Sequence, residues 1–236
     1  MKKKLNTKVF ADGANLEDMI ELSKNEMIKG FTTNPSLIRK AGVENYENFC
    51  KEVLNNITEK PISFEVFADD FDEMERQADK ISNWGSNVFV KIPVMNTKKI
   101  YTYDLIKKLS NKDIKLNITA IFTNEQITNV VKNLKENVPA YISVFAGRIA
   151  DSGKNPIDTI KHAVTESKKS DKFEVIWASP RQSYNVIECE QVGCHIITAT
   201  KDIIKKIDLF EKDLEEFSLE TVRMFYEDAQ KANYKL

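Results

Sequence analysis

The sequence predicts a (β/α)8 barrel of the TIM type, and three observations lead there. Eight short apolar runs recur along 236 residues. Their onsets lie roughly 21 to 33 residues apart, the length of one strand, one helix and two short loops. The stretches between them carry apolar residues at helical spacing. Eight strand–helix units in about 240 residues meet the specification of such a barrel. The rival, a doubly wound open sheet, usually has fewer strands and a glycine-rich first turn. No G-x-G-x-x-G occurs in this chain.

The candidate strands are residues 8–11, 30–33, 62–68, 87–92, 116–121, 140–146, 173–177 and 194–198. Between them, Phe71, Met74, Ala78 and Ile81 recur at spacings of three and four, one buried helical stripe. Tyr46, Phe49, Val53 and Ile57 make a second stripe, and Ile127, Val130, Val131 and Leu134 a third. Thr123-Asn124-Glu125-Gln126 has the form of a capping box placed just after a strand. Residues 209–231 read as an amphipathic helix beyond the eighth strand. It either packs on a neighbouring copy or caps its own barrel. No Pro/Gly/Ser-rich linker divides the chain, so one domain, 1–236, is expected.

Composition narrows the function. Apolar residues make up 42% and charged residues 30%, and the formal charge is −1. That balance argues against disorder and steers the chain to neither nucleic acid nor a membrane surface. Basic residues are interspersed with acids, and no aromatic–basic platform appears. Residues 1–4 are Met-Lys-Lys-Lys, but Lys8 and Asp12 interrupt any apolar stretch that would make them part of a signal peptide; they read as a solvated terminus. No run approaches a membrane span. Cys50, Cys189 and Cys194 are too scattered for a disulfide framework and read as core thiols. His162 and His195 read as structural, and no metal site is expected. A cytoplasmic protein is the expectation.

Catalytic groups in this fold sit at the C-terminal ends of strands. Lys91, in Val88-Phe89-Val90-Lys91-Ile92-Pro93, is the sharpest candidate. A lysine inside so apolar a run is costly unless it is paired or neutral, and a neutral amine can attack a sugar carbonyl to form a Schiff base. The alternative is a side chain that snorkels to water. Asp12 closes the first run, either as an acid/base group or as the N-cap of the helix starting near Asn15. Glu65 lies mid-strand, where a carboxyl must be satisfied. Alternation puts Asn117 and Thr119 on one face, together with Ile121. Five of the 35 basic residues are arginines. Two of them, Arg148 and Arg181, directly follow strands six and seven, with Ser143 and Ser179 nearby. Arginine contacts phosphate through two parallel hydrogen bonds, and barrel phosphate sites favour late loops. Two ordinary surface arginines are the other reading.

One string is more specific than any of these. Gly30-Phe31-Thr32-Thr33-Asn34-Pro35-Ser36-Leu37-Ile38 resembles the G-x-T-T-N-P-S/T-L/I-I signature of transaldolases. The Asp12 strand, Val90-Lys91-Ile92-Pro93, Asn117-Ile118-Thr119-Ala120 and Phe145-Ala146-Gly147-Arg148-Ile149 agree in order, and Ala178-Ser179-Pro180-Arg181 resembles the family's A-S-F-R turn. The match is to the small-subunit branch, which also holds the fructose-6-phosphate aldolases.

The resemblance implies a class I aldolase barrel without cofactor or metal, in which Lys91 forms the Schiff base. Asp12 would handle the sugar hydroxyl proton, and Glu65 would act through a water positioned by Thr119. Thr32, Asn34, Asn117 and Ser143 would line the dihydroxyacetone unit; Arg148, Ser179 and Arg181 would hold the phosphate. The implied reaction moves dihydroxyacetone between sedoheptulose 7-phosphate or fructose 6-phosphate and erythrose 4-phosphate or glyceraldehyde 3-phosphate, as in the non-oxidative pentose phosphate pathway. Glu65 and Phe145 follow the transaldolase pattern, where the aldolases typically carry Gln and Tyr. The alternatives are an aldolase releasing free dihydroxyacetone and a barrel that binds sugar phosphate without catalysis. Gly13, Met95-Asn96-Thr97-Lys98 and Pro180 depart from the family pattern and bear on sugar length and acceptor preference. A homo-oligomer is also implied.

Overall fold

The computed structural model describes residues 5–235; residues 1–4, expected as a solvated terminus, lie outside them. Eight strands form a closed parallel barrel in chain order. They are β1 (Lys8–Asp12), β2 (Ile28–Thr32), β3 (Ile62–Glu65), β4 (Val88–Pro93), β5 (Leu116–Ile121), β6 (Ala140–Val144), β7 (Phe173–Trp177) and β8 (Ile196–Ala199). The helices follow as α1 (Leu16–Ser23), α2 (Pro35–Lys40), α3 (Tyr46–Asn56), α4 (Phe71–Ser82), α5 (Tyr103–Asn111) and α6 (Asn124–Asn133). After β6 come α7 (Ala146–Asp151) and α8 (Ile157–Ser167), then α9 (Asn185–Gln191), α10 (Lys201–Lys205) and α11 (Leu214–Lys231). The expected barrel is therefore the architecture of the chain.

Strand alternation divides the apolar residues into two buried groups. Val9, Phe31, Phe64, Val90, Ile118, Ile142 and Val175 face outward and pack on the helical stripes, among them Met74, Ala78 and Ile81 of α4 and Ile127, Val130 and Val131 of α6. Phe10, Phe89, Tyr141, Ile176 and Ile196 form a separate cluster inside the barrel. Phe89 and Tyr141 stack with centroids 4.0 Å apart, and Phe10 meets Tyr141 edge-on. Gly30 is required beneath this cluster. A Cβ there would lie 2.5 Å from the Phe10 ring, well inside contact distance.

Several boundaries differ from expectation, each for a local reason. The third strand ends at Glu65 rather than 68, because Gln77 Oε1 on α4 accepts the Phe67 and Ala68 N–H groups and turns the chain. Glu65 is thus a strand end, not mid-strand. The second strand begins at Ile28, and the sixth ends at Val144, after which Phe145 leads directly into α7. Ala120 adopts a left-handed conformation (φ 58°) and the β5–β6 register shifts there. Ile121 consequently packs with the outward residues rather than beside Asn117 and Thr119. The C-terminal helix begins at Leu214, not 209. A 3-10 turn, Lys206–Leu209, precedes it, and Asp213 caps it by accepting from the N–H groups of Glu215 and Glu216. The capping box at Thr123 and Gln126 forms as expected. Cys50, Cys189 and Cys194 are buried and unbridged. His195 Nδ1 accepts the Val175 N–H, and His162 bonds Thr128. Among the described residues, no helix is long and apolar enough to cross a membrane.

Candidate active site

A cleft of about 170 Å³ opens at the C-terminal ends of the strands. Ten of the residues expected at the site line it: Asp12, Thr32, Asn34, Lys91, Thr119, Ser143, Phe145, Arg148, Ser179 and Arg181. Thr198 and Thr200 line it too and were not anticipated. Nothing in the sequence marks them, because threonine is ordinary in and after a strand.

Lys91 does not snorkel. It is 6% exposed, donates to the Thr33 carbonyl at 3.0 Å and lies 3.2 Å from Glu65 Oε2. The register explains the pairing: Glu65 and Lys91 are direct partners across β3 and β4. Glu65 stands beside the lysine and is not among the residues that line the cleft. Its backbone carbonyl is held by the Tyr46 hydroxyl at 2.7 Å, and burial pushes that phenol well above its usual range.

Asp12 is not a helix cap, since Asn15 caps α1 by accepting from the Asp18 N–H. Instead its carboxylate accepts the Thr32 hydroxyl at 2.7 Å. Burial raises its affinity for a proton. The Lys91 ammonium and the Thr32 hydroxyl oppose that shift, and the Glu65 charge adds to it. The net direction is above the ordinary carboxylate range.

Asn117 does not line the cleft either. It donates to Ser63 Oγ at 2.9 Å and accepts from Ser143 Oγ at 2.7 Å, which holds the serine in the barrel interior. Ser143 thus bonds Asn117, and it lines the same cleft as Arg148. Asn34 lines the cleft, but its Oδ1 is committed to capping α2 through the Leu37 N–H. Thr119 Oγ1 is buried without a protein hydrogen-bond partner. An unpaired buried hydroxyl is costly, and this one borders the cleft, where a ligand can satisfy it.

The two arginines stand on interlocked turns. Gly147 of α7 presses on the loop after β7 so closely that a Cβ would fall 1.6 Å from the Ser179 carbonyl oxygen. Ser179 takes a left-handed backbone (φ 60°), a strained state for a serine. Arg181 Nε contacts both oxygens of Asp151 at 2.9 and 3.0 Å. Arg148 sits over the Phe145 ring, 5.5 Å from its centroid. Both arginines are solvent-accessible, as the surface reading had it, yet both border the cleft.

Residues 9–236 match the sequence pattern of the family described as Transaldolase/Fructose-6-phosphate aldolase. The chain belongs to the transaldolase/fructose-6-phosphate aldolase family. Named relatives agree with this membership. A "Probable transaldolase" of Thermoanaerobacter sp. (strain X514) is 32% identical over 230 residues, covering 97% of this chain and 100% of the relative. One from Methanococcus maripaludis (strain C5) is 35% identical, covering 85% and 89%, and one from Clostridioides difficile (strain 630) is 34% identical, covering 89% and 98%. Dihydrodipicolinate synthase from Rhodopseudomonas palustris superposes with a TM-score of 0.58 at 12% identity, over 91% of this chain and 79% of that one. That likeness concerns the barrel alone.

Proposed function

We propose that this family member is a transaldolase acting through a Schiff base on Lys91. The observation that supports it best is a buried amine 3.2 Å from a carboxylate, in one cleft with a second carboxyl and two arginines. In this reading the ketose phosphate enters with its phosphate at Arg148, Ser179 and Arg181. Neutral Lys91 Nζ attacks the ketose carbonyl carbon, and loss of water gives an iminium. Glu65 passes the protons of that step through a water held by Thr119. Asp12 takes the proton of the C4 hydroxyl as the C3–C4 bond breaks, so the aldose phosphate leaves. The electron pair passes into an enamine of the three-carbon unit, steadied by Thr32, Asn34 and Ser143, with Asn117 acting by holding Ser143. An acceptor aldose phosphate then adds to the enamine, Asp12 returns the proton to the new hydroxyl, and water releases the longer ketose. Phe145 offers no hydroxyl to assist release of free dihydroxyacetone.

Bond cleavage needs the Asp12 carboxylate. The rate should therefore fall as pH drops through its raised value, an acid limb above the ordinary carboxylate range. The direct test follows glyceraldehyde 3-phosphate formed from fructose 6-phosphate, with and without erythrose 4-phosphate. Formation only with the acceptor supports transfer. Equal formation without it makes the enzyme an aldolase. Assembly belongs to the same reading: α11 buries none of its side chains and exposes Leu214, Val222, Phe225 and Tyr226, apolar surface a second copy would cover. Sedimentation giving a monomer would remove that part.

A further inference from the structure

β8, β1 and β2 lie side by side where the barrel closes, and each puts a polar side chain in the layer above the aromatic cluster. Thr32 donates its only hydroxyl proton to Asp12 Oδ1 at 2.7 Å. Thr32 Oγ1 also lies 2.6 Å from Thr198 Oγ1. A hydroxyl carries one proton, so in this contact Thr198 is the donor and Thr32 the acceptor. Three groups thus form a directed chain, Thr198 to Thr32 to Asp12. Both threonines are buried, at 5% and 3% exposure, so water does not compete strongly for either bond.

We propose that Thr198 is a positioning residue for Asp12, setting the orientation and proton affinity of that carboxyl through the Thr32 hydroxyl. The proposal rests on Asp12 being the acid/base group of the reaction. A hydroxyl that accepts a hydrogen bond becomes a better donor, so Thr198 strengthens the bond Thr32 makes to the ionised carboxyl. It also locks the Thr32 rotor, which otherwise could turn away from Asp12.

The other charges around Asp12 are arranged on every side. Lys91 and Glu65 face it from β4 and β3. Arg148 and Arg181 border the same cleft, and Asp18, Lys201, Asp202 and Lys205 line the hollow on its other side. Lys201 is paired with Asp18 and Glu21. Among the described residues, none of these charged groups hydrogen-bonds or ion-pairs with Thr198, whose hydroxyl meets Thr32, so removing that hydroxyl leaves their charges in place.

The test is the pH profile of kcat/KM for fructose 6-phosphate cleavage in the full-length protein, with Thr198→Val, Thr198→Ser and Asp12→Asn beside the parent. Thr198→Val keeps the shape and removes the hydroxyl. It should move the acid limb upward by about half a pH unit and lower kcat several-fold. Trapping of the Lys91 adduct by borohydride should persist, and Thr198→Ser should restore the parent limb. Should the valine variant not fold, Thr198→Ala reads the same limb. A parent-like limb in the folded variant overturns the proposal, since a merely structural threonine would alter melting temperature without moving the profile. Asp12→Asn should lower cleavage at least about a hundredfold. Parent-like turnover there would instead overturn the reading of Asp12, and this inference with it.

Discussion

Phe10 and Asp12 are two residues apart on β1 and face the same barrel interior, yet they do opposite work. The same step separates Gly30 from Thr32, Phe89 from Lys91, Tyr141 from Ser143 and Ile196 from Thr198. The lower members fill a floor of stacked rings and aliphatic groups, with Gly30 leaving the space that the Phe10 ring takes. The upper member borders the cleft. Strands place alternate residues on one face, so floor and site are consecutive layers of one surface. The floor seals the bottom of the site against water and has the packing of a core, which moves little. The site above it carries polar groups held by one another. Burial is shared by the two layers, and only the chemistry of the side chains separates a plug from a reaction centre.

Substitutions can break that comparison. The largest effect is expected in the upper layer: Lys91→Met should reduce turnover on the order of a thousandfold or more, while the far-ultraviolet circular dichroism spectrum stays that of the parent. Residual turnover near the parent's would remove the Schiff-base account. A lower-layer change should do the reverse. Phe10→Ala opens a cavity beneath the site and should cost about 3–5 kcal/mol in chemical denaturation. At temperatures where the variant remains folded, turnover should fall far less than in Lys91→Met.

Gly30→Ala sharpens the contact between the layers, since the new methyl meets the Phe10 ring. About 1–3 kcal/mol should be lost through overpacking. Combined with Phe10→Leu the loss should be smaller than the sum of the two, as for side chains that share space. A strictly additive double variant would mean that the ring moves aside freely.

The smallest effect lies at the start of β8. Burial holds His195 below its ordinary value of 6.5, so the fold prefers the neutral ring whose Nδ1 accepts the Val175 N–H. A depressed value means that this stability is present above the unfolded value and lost as pH falls. Between pH 7.5 and 5.5 the melting temperature should drop by about a degree or two more in the parent than in His195→Gln. Equal drops would assign the acid sensitivity elsewhere.

The eight strands, the helical stripes and the identity of Lys91, Asp12 and the two arginines were legible along the chain. Strand and helix periods, and one nine-residue signature, are local properties that neighbours in sequence write directly. The ends of elements were less so. Gln77, reaching back to two backbone N–H groups, decides where β3 stops, and a left-handed Ala120 decides which way Ile121 faces. Asn117 and Glu65 were expected at the site, but they do not line the cleft; their side chains hold Ser143 and Lys91, which do. Thr198 carried no mark at all. It lies 166 residues from Thr32 in the chain, and nothing local reports that the two hydroxyls meet at 2.6 Å. Closing the barrel brings β8 against β1, and only then does an ordinary strand threonine become part of the site. Periodicity needs a few neighbouring residues to express it, whereas a hydrogen-bonded constellation exists only once distant strands share one interior.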